Sequence, residues 1–600
     1  MRTAVYFCQV EQGGAINVEA VAKYASNLPW VAAVDVLGIR PKLESSVLAG
    51  QIKASEIERI VIAGDSPGFF KPVFTRAMAT AGKNTNEVRL ASFRAHGARR
   101  QDALERAKAI VACATRAVPF PLAAVPDNTP VHPATLIIGG GIAGIQAALE
   151  IADAGKPVYL VERTGTIGGH MAMFDKTFPT LDCAACILTP KMVSVGQHDM
   201  IGLFTNSQLE ELTGSPGAYK AKIRKRARRV DIKSCVSCGI CTDHCPVVVP
   251  SEFDSCITTR KAIYIPFPQA VPNTYLVDAE NCTYVQSGGK KCGACLKKCP
   301  KECINLNEKD EVIEVEIGNI ILATGYDVLD AQKIARYGYG KYPNVLTALE
   351  FERLTNASGP TGGKIVTKTE KYDKRTKTQE WVFDPAGESP RAVAIVHCVG
   401  SRDSNYNSYC SRVCCMYSLK FAHLVKEKLH DTTCYEFYID MRAFGKGYEE
   451  FAERIKQEGT FVVRGRSATV VESNGRLVVR GEDIIKDTLV EFPVDMVLLA
   501  VGLIPDRGTE EICRMLGVER DSDGWFSELD YNGNPTDTER GGIYVAGVCQ
   551  GPKDIPDTVA QASAVAAGVL RSITSGKGLG HRSSLSLSEI EARANNLQTS

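Results

Sequence analysis

Cysteines carry most of the chemistry this sequence could do, and they are densest between residues 234 and 303. The run Cys235-Val-Ser-Cys238-Gly-Ile-Cys241-Thr-Asp-His-Cys245-Pro246 has the spacing C-x2-C-x2-C-x3-C-P. Cys282, Cys292, Cys295 and Cys299-Pro300 repeat it with the first gap widened to nine residues. Three closely spaced thiolates can wrap one cubane iron–sulfur cluster while the fourth reaches across to the other. The spacing therefore assigns Cys235, Cys238, Cys241 and Cys299 to one [4Fe-4S] cluster and Cys282, Cys292, Cys295 and Cys245 to a second. The prolines after Cys245 and Cys299 turn the chain away from the clusters. A disulfide scaffold or a zinc ribbon is the competing reading, but zinc sites rarely use two such four-cysteine runs with a C-P ending. This stretch is expected to carry electrons.

A second concentration of thiols lies downstream. Ala392-Val-Ala-Ile-Val-His-Cys398 reads as a strand ending in a cysteine, and Cys410, Cys414 and Cys415 follow as C-x3-C-C. Four cysteines in eighteen residues could wrap a third [4Fe-4S] cluster; free or disulfide-forming thiols are the alternative. Cys183 and Cys186 form a C-x2-C that could be structural thiols, an extra metal contact or a flavin-facing disulfide. Cys256, Cys303, Cys434, Cys513 and Cys549 have no partner spacing and read as core residues.

The elements that must position these groups are legible around Ala134-Thr-Leu-Ile-Ile-Gly139-Gly140-Gly141-Ile-Ala-Gly144. Here G-x-G-x-x-G follows an apolar strand and opens a helical run over 145–154, the context in which it signals dinucleotide binding. The glycines permit the turn and the close approach of a pyrophosphate, which then rests on the helix N-terminus. A second strand over 156–162 ends at Glu162, placed to bind a ribose, although a strand-end acid can also be ordinary. Gly318-Asn-Ile-Ile-Leu-Ala-Thr-Gly325, the apolar run 495–506 and Gly542-Ile-Tyr-Val-Ala-Gly547 follow, with a helix expected to begin near Thr558. That order resembles flavoproteins of the pyridine-nucleotide-disulfide type, in which such strands return to the FAD sheet. The resemblance implies FAD at Gly139, Gly141, Ala143, Gly144, Glu162, Arg163, Gly169, Ala323, Thr324, Gly325, Gly547, Thr558 and Val559. The strand at 392–399 has one following glycine and no fingerprint, so a nicotinamide site is not expected there.

The expected fold class is α/β: a FAD-binding Rossmann-type (pyridine-nucleotide-disulfide-reductase-like) core with an inserted two-cluster ferredoxin domain and a small N-terminal α/β domain. Boundaries are expected at 1–130, 131–225, 226–305 for the insert, and 306–575, the last with a degenerate nucleotide subdomain at about 390–490. A polar tail fills 576–600, and the proline-rich 119–133 reads as a linker. Six hundred residues exceed a single core, and a formal net charge of +1 gives no sign of nucleic-acid binding. No apolar run approaches the ~18 residues of a membrane span. Twenty-one cysteines beside a start that lacks a signal-peptide pattern point to metal ligation in a reducing compartment, read as cytoplasmic. The basic run 224–229 reads as a solvated face or a patch that steers an acidic redox partner.

Together these residues resemble the A-type component of heterodisulfide reductase (HdrA-like), the flavin and iron–sulfur component of electron-bifurcating complexes. The resemblance rests on the fingerprint, Thr177-Phe-Pro-Thr-Leu-Asp-Cys183-Ala-Ala-Cys186-Ile-Leu-Thr-Pro-Lys191, the ferredoxin insert, 398–420, Asp440-Met-Arg-Ala-Phe-Gly-Lys-Gly447 and Gln550-Gly-Pro-Lys553-Asp-Ile-Pro-Asp-Thr-Val-Ala560. It extends to about residue 575. Methanogen members of the family carry further cysteines in the N-terminal domain, and long members end in a second ferredoxin domain; here the N-terminal match retains only Cys8, and the C-terminal residues hold no cysteine.

The resemblance implies a converter that splits or merges electron pairs between a low-potential ferredoxin and a higher-potential acceptor. The alternative is a non-bifurcating electron-relay subunit of a quinone-linked or aromatic-CoA reductase type. Implied partners are HdrB/HdrC-like subunits, a hydrogenase, formate or NADH module, or a CoA-ester or quinone-linked reductase, besides ferredoxin, in an oligomer within a complex. Lys420, five residues past Cys415 on an expected helix, is the one catalytic candidate. It would reach the isoalloxazine N5 and stabilise a reduced, anionic flavin; a solvated surface lysine is the plain alternative.

Overall fold

Short, continuous apolar runs predict strands buried on both faces, and the computed structural model gathers those of residues 135–545 into two parallel sheets. It describes residues 2–8, 16–37, 43–98, 102–117, 130–373, 378–575 and 592, so the expected tail lies almost wholly outside the described residues, as does most of the linker. The chain divides after Val125 into two compact units.

The first unit is a four-stranded parallel sheet in the order Val31–Val36, Thr3–Phe7, Arg59–Gly64, Val88–Ser92. Helices Val18–Ser26, Ser45–Ala54, Lys71–Thr80 and Ala103–Arg116 alternate with its strands. Cys8 is buried at the end of the first strand, where burial and then Asp35 push its thiol up to about 12; Cys113 is exposed.

In the second unit, Thr135–Ile138 lies at the centre of a five-stranded sheet ordered Ile543–Val545, Asn319–Leu322, Thr135–Ile138, Val158–Val161, Ile201–Phe204. All its pairings are parallel. Helices Ile142–Asp153 and Ile555–Ser575 pack together on this sheet through Ala147, Ile151, Ala562 and Val565, all buried. The second sheet runs Val345–Thr347, Met496–Val501, Ala392–Val399, Thr433–Tyr438, Phe461–Arg464, again parallel throughout. Two expectations are corrected here. Met496–Val501 does not return to the fingerprint sheet, because its backbone pairs with Val345–Thr347 and Ala392–Val399. The nucleotide-like subdomain accordingly reaches beyond 390–490 on both sides.

The insert leaves and re-enters through one point. Ala218–Lys225 and Glu311–Ile317 are antiparallel neighbours in a three-stranded sheet with Ser207–Ser215, and Lys225 sits opposite Glu311, their side chains paired at 2.8 Å. The loop between them contains two short hairpins and the helices Ile240–Asp243, Thr283–Gln286 and Ala294–Lys298. Among the described residues no helix is long and apolar enough to cross a membrane.

Candidate functional site

A cavity of about 1170 Å³ opens where the fingerprint turn meets the second sheet and the insert. Gly139 takes φ +110, and a Cβ there would lie 2.3 Å from the carbonyl oxygen of Ala323, so only glycine closes this turn. Gly144 faces inward, where a Cβ would strike the Gly139 oxygen at 2.0 Å. Gly141 differs: it caps the Ile142–Asp153 helix and lines the cavity, and a Cβ added to it meets nothing within 4 Å. The space in front of the helix N-terminus is thus left for a ligand, and that terminus favours phosphate.

The carboxylate of Glu162 accepts hydrogen bonds from the Gly140 and Thr164 amides, both at 2.8 Å, so it braces the turn as well as lining the cavity. Arg163 lines the wall next to it and pairs with Asp506 at 2.7 Å. Thr324 presents a buried hydroxyl that has no hydrogen-bond partner among the described residues, and Ala323 and Gly325 flank it on the wall. The helix Ile555–Ser575 brings Thr558 to the cavity in its first turn, having begun three residues before the sequence suggested. A space of about 1170 Å³ with a phosphate-accepting helix end and an unpaired hydroxyl fits a dinucleotide. These residues would hold its diphosphate and neighbouring groups.

At the other end, the helix Cys414–Lys428 presents Tyr417 and Lys420 to the cavity. Lys420 is 2% exposed, which overturns the surface-lysine alternative. Its ammonium donates to the Lys176 carbonyl at 2.9 Å and to the Glu352 carboxylate, and Phe174 and Phe421 flank it. Burial raises the Glu352 pKa, while Lys420 opposes that rise. His170 stacks on Tyr326 with ring centroids 4.2 Å apart, and burial lowers it to about 4, so the imidazole is neutral at pH 7. Burial likewise keeps the Tyr326 and Tyr417 phenols protonated.

The same helix opens on Cys414 and Cys415. Cys398, at φ +55 at the end of its strand, meets them: hydrogen bonds from the Cys414 thiol lower Cys398 to about 7 and Cys415 to about 4. Cys414, as the donor, is raised well above the ordinary thiol range. Cys410 is held on the adjoining loop, its sulfur accepting from the Arg412 amide at 3.3 Å. Beneath them His397 and Glu436 form a buried pair at 3.0 Å. Burial disfavours charge on His397, but its contacts with Cys415 and Glu436 outweigh that and raise it to about 10. Thiolate is the metal-binding form of cysteine, so this is a donor set suited to iron.

In the insert, Cys235, Cys238, Cys241 and Cys299 border one small cavity, the grouping that the spacing assigned to the first cluster. Cys241 and Cys295 lie two positions after left-handed Gly239 and Gly293, each just inside a short helix. Cys295 lies in the field of Cys282, Cys245 and Cys241, and burial pushes both Cys241 and Cys295 up to about 11. Cys292 is exposed at φ +73 on the loop before its helix. Among the described residues no three His, Cys, Asp or Glu side chains converge on a single metal ion. The all-sulfur donor sets instead suit cubanes, whose thiolates stand apart around a core.

The model for FAD dependent oxidoreductases matches residues 135–178. The A-type component of the H(2):CoB-CoM heterodisulfide,ferredoxin reductase of Methanothermobacter marburgensis is 43% identical over 574 residues, 94% of this chain and 83% of that protein. One of the A-type iron-sulfur components of the CoB–CoM heterodisulfide reductase of Methanopyrus kandleri is 41% identical over 588 residues, 96% of this chain and 86% of that protein. The chain belongs to the HdrA family of heterodisulfide reductases. It is an FAD and iron–sulfur oxidoreductase. Thioredoxin reductase of Lactococcus lactis is a more distant structural neighbour, at 13% identity and a TM-score of 0.40 over 74% of this chain and all of that one.

Several positions in this HdrA-family chain depart from expectation. Gly144, Gly547 and Val559 do not line the cavity. Gly144 serves helix–strand packing, and Gly547 spaces Ala143 from Thr558. Cys183 and Cys186 form a disulfide on the exposed end of the Ala184–Gln197 helix, and neither lines the cavity. Cys434, Cys513 and Cys549 are buried as expected, but Cys256 is exposed and Cys303 stands half-buried beside Cys299. The basic run is not a bare face: Arg228 is buried and donates to the Gly165, Thr274 and Tyr275 carbonyls, tying insert to core. Glu352, His170, Tyr326 and Tyr417 escaped sequence reading, although Tyr417 precedes Lys420 by three residues on one helix and so shares its face.

Proposed function

We propose that this chain splits or merges electron pairs between a low-potential ferredoxin and a higher-potential acceptor reached through partner subunits, using FAD in the large cavity and three cubane clusters. The observation that carries this reading is the helix Cys414–Lys428, whose first turn supplies two cluster thiols and whose next turn supplies Tyr417 and Lys420 to the cavity wall. FAD can accept two electrons together and release them singly, while each cubane passes one at a time, so their apposition is what electron branching requires.

The chain's own residues set the terms of that exchange. Lys420, anchored by Glu352 and the Lys176 carbonyl, lines the cavity and would present its ammonium to the flavin. His170 stays neutral and Tyr326 and Tyr417 stay protonated, so they add no charge, and the Glu352 carboxylate is the group paired with the ammonium. Phe253 and Phe267 of the insert, stacked at 4.6 Å, close another part of the wall against water. Cys398, Cys410, Cys414 and Cys415 would hold one cluster beside the cavity, and the insert's eight cysteines would hold two more, which would supply one-electron transfer toward a partner. Heterodisulfide and ferredoxin, in the relatives' names, suggest the pair of terminal acceptors.

The first test is iron, acid-labile sulfide and FAD content of anaerobically purified protein. About 12 irons per flavin are expected from three cubanes; about 8 would remove the cluster at Cys398–Cys415. In the assembled complex, ferredoxin reduction should then occur only together with reduction of the second acceptor. Independent reduction of either one would make the chain a relay.

A further inference from the structure

The small cavity in the insert has one thiol too many. Four cysteines suffice for a cubane, yet Cys303 borders the same space as Cys235, Cys238, Cys241 and Cys299. Its sulfur lies 3.4 Å from that of Cys299. It is held there by its backbone: the Cys303 carbonyl accepts from the Asp231 amide at 2.8 Å, and neighbouring Ile304 bridges to Val230. Val230 and Ile304 are buried in the insert's core, so this edge is fixed. Cys256 shows the contrast, an unassigned cysteine of the same insert that stands exposed and borders neither cavity.

We propose that Cys303 is a reserve ligand of the first insert cluster, hydrogen-bonded to Cys299 and able to replace it on iron. The inference rests on the reading of this site as a cluster site. In the exchange the bond from iron to the Cys299 sulfur breaks and one to the Cys303 sulfur forms. The thiol proton passes from Cys303 to Cys299, and no electrons are transferred. A change of 3.4 Å within one turn of chain is small enough for the fold to absorb. The consequence is a cluster that survives loss or oxidation of one ligand at the insert's surface, where Cys299 and Cys303 are both half-buried.

The test uses the full chain, purified anaerobically as wild type, C299A, C303A, C299A/C303A and C238A, with iron, sulfide, FAD and low-temperature EPR as readouts. C299A should keep about 12 irons per chain with an altered EPR signal, whereas C299A/C303A and C238A should each fall to about 8. C303A should keep about 12. If C299A loses four irons as the double variant does, while flavin stays bound, Cys303 is no ligand and the proposal fails. Wild type lacking the insert's irons would instead defeat the cluster reading itself.

Discussion

Replacing Lys420 by methionine keeps most of the packing of its stem and removes only its charge. The Lys420–Glu352 pair is buried, with side chains 2% and 4% exposed, and among the described residues Glu352 would keep only the Asp175 amide at 3.1 Å. Removing one member of such a pair costs about 3–5 kcal/mol, since the other charge stays uncompensated. At about 2.1 cal/mol/K of unfolding entropy per residue, a unit spanning 126–580 shifts by about 1 °C per kcal/mol, so the melting midpoint should fall by roughly 3–5 °C. The assay is release of flavin fluorescence on heating the holoprotein. Glu352→Gln added to Lys420→Met removes the stranded charge and should recover most of the loss. Because burial raises Glu352 above its ordinary value, the folded K420M chain binds a proton more readily than the unfolded chain. Its deficit should therefore shrink as pH falls from about 8 toward about 5. A K420M midpoint within about 2 °C of wild type, or a double variant no better than K420M, would refute the reasoning.

Other variants separate binding from folding. Gly141→Val points into open cavity and should abolish flavin binding while the irons remain, whereas Gly144→Val collides with the Gly139 carbonyl and should lower the yield of folded protein. Cys414→Ser should remove about four of about 12 irons and leave the EPR signals of the insert intact. His170 has its pKa lowered to about 4, so below pH 6.5 the unfolded chain gains a proton that the folded one lacks. Stability should fall between pH 6.5 and 4, and His170→Asn should flatten that slope in a series of melting curves.

The fingerprint and the insert were legible because glycine and cysteine at fixed spacing leave few physical alternatives. Met496–Val501 was misplaced because strands of parallel sheets are all continuous apolar runs, and nothing local tells one sheet from another. Lys420 could be located but not its burial, since its partner Glu352 lies 68 residues away and the pair exists only after tertiary packing. Cys303 looked like core because no spacing rule reaches it; the bridge from Val230 to Ile304 is what brings it beside Cys299.

The insert departs and returns through adjacent residues, Lys225 and Glu311, yet its Phe253, Tyr264 and Phe267 form part of the cavity wall. Arg353 fastens that wall, reaching Asp254 in the insert at 2.9 Å and the Met173 carbonyl in the core at 3.2 Å. A module joined at one hinge point also serves as a side of the large cavity, so the cavity's shape depends on how the insert folds. The cavity wall is therefore complete only once the insert's chain has folded, and damage to that fold would open the site to water.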